Sequence, residues 1–192
     1  MSTHASYHHG NLPRTIISAA LDVIAESGPS ALSLRDLARR AGVSHAAPAH
    51  HFGDRAGLLT AVATQGFGLL ADALAEAQQQ TGDFLEMGVA YVGFAVGHPA
   101  HFAVMFRPEL FRADDPELIA AKTRASESLY RGAAPFAASE ASPESQEAAL
   151  AAWSLVHGFA TLWLSGNLPA GLPADPREAA RGVASVLFSD RG

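Results

Sequence analysis

An all-α fold is expected from three observations. Apolar residues recur at helical spacing almost throughout, no segment alternates like a strand, and glycines, prolines and capping residues punctuate the chain at helix-length intervals. The expected architecture is an N-terminal three-helix helix-turn-helix head joined to a helical-bundle body, about nine helices in all. The division expected is residues 1–54 for the head and 55–192 for the body.

Each element has its own signal. Ile16, Ile17, Ala20, Leu21 and Ile24 line one face of a first helix, opened by Asn11 as N-cap and stopped at Ser27-Gly28-Pro29. Ser33-Leu34-Arg35-Asp36 fits a capping box for a second helix, which Gly42 ends. Ser44 is a third N-cap candidate and opens the short segment His45 to Phe52. A fourth helix runs from about Asp54 to Gln80 with Leu58, Leu59, Val62, Leu69, Leu70 and Leu74. Beyond Thr81-Gly82, helices are expected over Asp83–His98, Ala100–Arg107 and Pro116–Tyr130 or a little further. Ala138–Pro143 reads as a loop, and the last helices are Glu144–Gly166 and Pro176–Ser189 around the Pro/Gly-rich Asn167–Asp175.

Composition bounds the function. The 192 residues contain no cysteine, which excludes a disulfide framework, thiol catalysis and Cys-ligated metals. Residues 1–12 are polar and His-rich with no apolar h-region. The apolar stretch Ala148–Leu164 is broken by Ser154, His157 and Thr161. A cytoplasmic protein with no membrane partner is expected. The net charge of −6 is unevenly placed. Residues 1–65 carry five arginines against four carboxylates, whereas the rest carries eight basic and fifteen acidic residues. Six of the nine histidines lie in the first 51 residues. A locally near-neutral head on an acidic body can still meet phosphate, because the local face decides and not the total.

The strongest local pattern is the pair of short helices around Ala41-Gly42-Val43-Ser44. A small residue and a glycine suit the steep turn, and Val43 can plug the angle between the helices. That spacing alone fits an ordinary helical hairpin as well as a DNA-binding one. Histidine spacing does not favour a metal site: His8-His9 and His50-His51 are adjacent, His45 to His50 is i+5, and Pro99 lies between His98 and His101. No metal and no cofactor is expected. No catalytic motif stands out, so an enzyme is not expected.

The wider pattern is specific. Ile17-x-x-Ala20-Leu21-x-x-Ile24-x-x-x-Gly28 is followed by Leu32-Ser33-Leu34-Arg35-Asp36-Leu37-Ala38 and Ala41-Gly42-Val43-Ser44. His51-Phe52-x-x-Arg55-x-x-Leu58-Leu59 completes it. Residues 12–60 thereby resemble the DNA-binding head of the TetR family of bacterial transcription regulators. The resemblance implies that Ser33 meets phosphate, that Ser44, His45, Ala46 and Ala47 open the recognition helix, and that His51 and Arg55 hold the DNA backbone. Arg14, Arg35, Ala49 and His50 complete the candidate DNA-binding set. Two positions depart from the family: its usual Leu-Tyr in the recognition helix is here Pro48-Ala49. Direct readout then rests on His45, His50 and methyl contacts, which implies modest sequence discrimination.

The body carries large apolar residues at helical spacing: Phe84, Met87, Tyr91 and Phe94, then Phe102, Met105 and Phe106. Such a stripe fits a packed core as well as a ligand chamber, and Gly88, Gly93 and Gly97 thin the helix beside it. Leu150, Trp153, Leu155, Val156, Phe159, Leu162 and Trp163 make the helix after Ala148 apolar on nearly all sides. Burial on two sides is expected, by its own core and by a second copy. Trp153-x-x-x-His157-Gly158 resembles the family's C-terminal domain type named for its Trp-His-Gly motif. The resemblance implies a dimer through the last two helices, here with Trp153, Val156, Phe159, Trp163, Val183 and Leu187. It also implies a body ligand, with Trp153, His157 or Tyr91 beside the apolar set above.

The function expected is a homodimeric transcription regulator, a repressor of a near-palindromic double-stranded DNA operator. A small, largely apolar effector in the body is expected to release it by shifting the fourth helix. The alternative is a helical ligand-binding protein whose DNA binding has weakened or been lost.

Overall fold

The structure is a computed structural model that describes residues 12–133 and 143–188. Among the described residues it contains nine α-helices and no strand. They are α1 (Leu12–Ser27), α2 (Leu34–Arg40), α3 (Ala47–Phe52), α4 (Arg55–Thr81), α5 (Phe84–Gly97), α6 (Pro99–Met105), α7 (Pro116–Ala133), α8 (Pro143–Leu164) and α9 (Pro176–Phe188). Single 3₁₀ turns occupy Pro29–Ala31 and Pro108–Leu110.

Proline and aspartate set most helix starts. Pro99, Pro116, Pro143 and Pro176 each stand first in their helix, where the missing N–H has no intrahelical use and the fixed φ is already helical. Asp83 accepts from the amide of Leu85 at 2.8 Å, Asp115 from Leu118 at 3.1 Å, and Asp175 from Arg177 at 2.8 Å. Asp54 accepts from Gly57 at 2.8 Å and so opens α4.

Three expected caps differ. Ser33 is the N-cap of α2 but makes no side-chain cap bond, so the capping box is not formed. Ser44 is not the cap of α3; its carbonyl accepts from Ala47 at 3.0 Å, and the helix begins at Ala47 instead of His45. Pro48 is the cause. It stands in the first turn of α3, where a proline without an N–H is tolerated, and its ring is fully buried. Asn11 lies outside the described residues, as do residues 138–142 of the expected loop and Ser189.

Packing divides the chain into two compact units. The first is Met1–Gly66 with Ala100–Ile119, and the second is Phe67–Pro99 with Ala120–Gly192. The units thus interleave in sequence, unlike a single boundary after residue 54. The core of the first holds Ile16, Leu37, Leu58, Leu59, Val62, Val104, Met105 and Leu118. That of the second holds Leu70, Leu74, Met87, Val92, Phe94, Ala149, Phe159 and Ala180. The longest helix, α4, passes from one unit into the other. It is long and apolar enough to cross a membrane by length and composition, but 56% of its apolar window is buried, as in a core helix.

Candidate DNA-binding head and ligand-binding body

The turn between α2 and α3 is closed by the backbone. Val43 donates to the carbonyl of Ala38 at 3.0 Å and Gly42 to that of Arg39 at 3.3 Å, the paired pattern of a Schellman C-cap. The pattern needs a left-handed residue, and Gly42 supplies it with φ +66°. Val43 is half-buried between the helices, as the turn requires.

On the outer side of this turn, Ser44, His45, Ala46, Ala49, His50 and His51 are all exposed. Ala47 is not, since its methyl packs into the head core beside Pro48. The rings of His50 and His51 meet edge-on at 5.4 Å, and His51 lies tilted against Phe52 at 6.3 Å. Arg14 and Arg35 are exposed on α1 and α2, and Ser33 is half-buried at the start of α2.

Arg55 is placed differently from the expectation of a phosphate contact. Its side chain is half-buried, and its guanidinium donates to the carbonyl of Pro29 at 2.8 Å. It ties the start of α4 to the turn after α1. Arg40 is also engaged, in a two-pronged bond to Glu26 at 2.9 and 3.2 Å, and the guanidinium holds that carboxyl below its usual range. A third tie had no local signal in the sequence. Arg112 donates to Asp54 at 2.9 Å through its side chain and to the hydroxyl of Thr60 at 3.0 Å through its amide. Partners more than fifty residues apart leave no periodicity to read.

In the second unit, α5 and α8 bring three expected residues together. The indole of Trp153 donates to the phenol oxygen of Tyr91 at 3.3 Å, and that oxygen lies 2.8 Å from Nδ1 of His157. With the indole donating, the phenol proton is directed at Nδ1, which accepts it only in a neutral imidazole. Burial favours that state. It lowers the pKa of His157 and raises that of Tyr91, which is 4% exposed.

Phe84, Met87 and Phe94 are buried in the same unit. Phe84 and Met87 crowd Gly132 of α7 so closely that a Cβ there would come within 2.8 Å of both. Phe94 lies 5.3 Å from the ring of His98. Phe102, Met105 and Phe106 are not part of this cluster. They belong to the first unit, where Phe102 and Phe106 meet edge-on at 5.3 Å and Met105 packs on Gly66.

The expected pairing face is also redistributed. Val156 and Phe159 are buried by the chain itself, with Val156 against Gly88 of α5. The large apolar residues left exposed on α8 are Leu150, Trp153, Leu162 and Leu164, with Val186 on α9. Trp163 and Val183 are half-buried, Trp163 lying 5.9 Å from the ring of Phe159. The side chain of Leu187 lies outside the described residues.

Comparison with known proteins bears on these two parts. Residues 16–62 match the family model described as bacterial regulatory proteins, tetR family. Residues 84–187, more than half the chain, match the model described as tetracyclin repressor-like, C-terminal domain. Curated proteins give no match. Among solved structures, a protein of unknown function from Rhodococcus sp. RHA1 is 31% identical, with 97% of this chain and 98% of that one covered and a TM-score of 0.80. The TetR-like transcriptional regulator LfrR from Mycobacterium smegmatis, solved in complex with proflavine, is 22% identical with coverage of 95% and 97% and a TM-score of 0.63. NalD, the secondary repressor of the MexAB-OprM multidrug efflux pump in Pseudomonas aeruginosa, is 19% identical with coverage of 94% and 95% and a TM-score of 0.62. With a helix-turn-helix in the head and both family models matched in order, the chain belongs to the TetR family of bacterial transcriptional regulators.

Proposed function

We propose that the chain is a cytoplasmic, homodimeric repressor that a small, largely apolar effector releases from DNA. The observation that carries this reading is the exposed surface at Ser44, His45, Ala46, Ala49 and His50, presented by the Gly42 turn. Two such surfaces in a dimer would enter successive major grooves of a near-palindromic operator, with half-sites a whole number of helical turns apart. His45 and His50 supply hydrogen bonds to base edges, and the methyls of Ala46 and Ala49 face thymine methyls. Ser33, Arg14 and Arg35 supply phosphate contacts, and the amide of Ala47 serves where its buried methyl does not.

The effector would lodge in the second unit beside Phe84, Met87 and Phe94, with Tyr91, Trp153 and His157 as polar anchors. LfrR bound to proflavine and NalD as a repressor support the ligand and the sign of regulation by analogy of fold. Release requires the effector to bind the DNA-incompetent state more tightly, since equal affinity for both states shifts nothing. The Trp-His-Gly subtype is part of the same proposal.

DNA-binding titrations against a palindromic library at several salt concentrations test it. Salt-dependent preference for one palindrome is expected, and a dimer with no preference for any sequence overturns it. The inward turn of Arg55 and the bare methyl of Ala49 favour a second reading, a ligand-binding protein with weakened DNA contact. Ala49→Tyr separates the two: absence of an operator both before and after the substitution supports the second.

A further inference from the structure

Among the described residues, two side-chain polar atoms are sealed from solvent with no hydrogen-bond partner, Nε of Arg55 and Oε1 of Gln78. Folded proteins keep few such atoms, because an unpaired buried acceptor has lost its water and gained nothing. Arg55 has an explanation. Its guanidinium is drawn inward by the bond to the Pro29 carbonyl, and Nε is carried with it.

Gln78 has no such tie. It stands on the part of α4 that belongs to the second unit, and it continues the buried row of Phe67, Ala71 and Leu74 at helical spacing. An apolar side chain would complete that row, and the chain has an amide there. Only Gly82 and Asp83 separate α4 from α5, so the two helices return on one another as a hairpin. Gln78 is as far before that turn as Met87 is after it, which sets the two level along the hairpin. Met87 and Phe84 pack toward Gly132, and Tyr91 with its Trp153 and His157 partners follows one turn further along α5, about 6 Å of rise.

We propose that Oε1 of Gln78 is the hydrogen-bond acceptor that selects the effector, favouring an apolar body that carries a hydroxyl or N–H donor. The inference rests on the reading of the second unit as the ligand-binding body. A donor on the ligand pairs an acceptor already stripped of water. A ligand of the same shape without one leaves it unpaired, and that asymmetry is the basis of discrimination.

Calorimetric titration of the full chain with 2-naphthol and with 2-methylnaphthalene tests it, since the two share a bicyclic body and differ in hydroxyl against methyl. The wild-type chain should prefer the naphthol about tenfold, and Gln78→Met should abolish the preference. Urea denaturation of Gln78→Met should show stability equal to or above the wild type, because the unpaired acceptor is gone. If neither probe binds the wild type, the ligand-body reading fails and this inference with it. If both bind without preference, or the preference survives in Gln78→Met, the Gln78 assignment alone is overturned. A loss of stability in Gln78→Met overturns it as well, by showing the amide to be a structural tie.

Discussion

The guanidinium of Arg55 donates to the carbonyl of Pro29 at 2.8 Å, joining the first residue of α4 to the turn that follows α1. Arg55→Met should therefore destabilise the head by about 2 kcal/mol, the scale of a hydrogen bond from a charged donor whose acceptor is then orphaned. The salt dependence of DNA binding separates this role from a phosphate contact. A structural tie leaves the slope of log K against log salt unchanged, whereas loss of a phosphate contact lowers it by about one per site. His157 carries a second residue-scale consequence. Burial lowers its pKa in the folded chain from the ordinary value of 6.5, so the unfolded chain takes up the proton first. Stability on this account is full above about pH 6.5 and declines as the pH falls below it. It levels off under the lowered folded value. Denaturation at pH 7.5 and pH 5.5 should show a larger drop in the wild type than in His157→Phe. Equal drops would mean that His157 titrates alike in both states.

At the scale of elements, the Gly42 turn is the joint on which the recognition surface depends. A Cβ at Gly42 would meet nothing within 4 Å, so Gly42→Ala costs only the left-handed backbone at φ +66°. About 1–2 kcal/mol of stability should be lost, and less in Gly42→Asn, because asparagine visits that region more readily. Urea denaturation checks both. A Gly42→Ala chain as stable as the wild type would show that the turn relaxes out of the Schellman geometry. This turn was legible in the sequence because glycine, valine and two flanking helices are local signals. So were four helix starts marked by proline and three by aspartate. The start of α3 was less so, since Ser44 reads as a cap until Pro48 is seen to fill the first turn and pack its ring inside. The inward course of Arg55 and the Arg112 clasp on Asp54 and Thr60 were illegible. Each depends on a partner that only the fold brings near.

At the scale of the whole molecule, α8 explains why a helix apolar on nearly all sides belongs in this chain. Its inward side holds Ala149, Ala152, Val156, Phe159 and Ala160, all buried by the chain's own packing. Its outward side leaves Leu150, Trp153 and Leu164 uncovered with Leu162 at 45% exposure, and α9 adds Val186 at 76%. Two helices with apolar outer faces can pair with their copies about a two-fold axis, which also sets two recognition surfaces on one DNA. Leu162 is the place to test this, because Trp153 is tied to Tyr91 and its loss would disturb the interior as well. Leu162→Arg should leave the helical fold intact by circular dichroism, since the inward row is untouched, but should sediment as a monomer. Binding to a single half-site should persist. Binding to the full palindrome should fall by about 10²–10⁴, the advantage that linkage of two weak sites confers. A variant that stays dimeric places the pairing surface elsewhere. One that becomes monomeric yet binds the palindrome undiminished removes dimer geometry as the source of affinity, and transfers it to a head that has few free arginines to supply it.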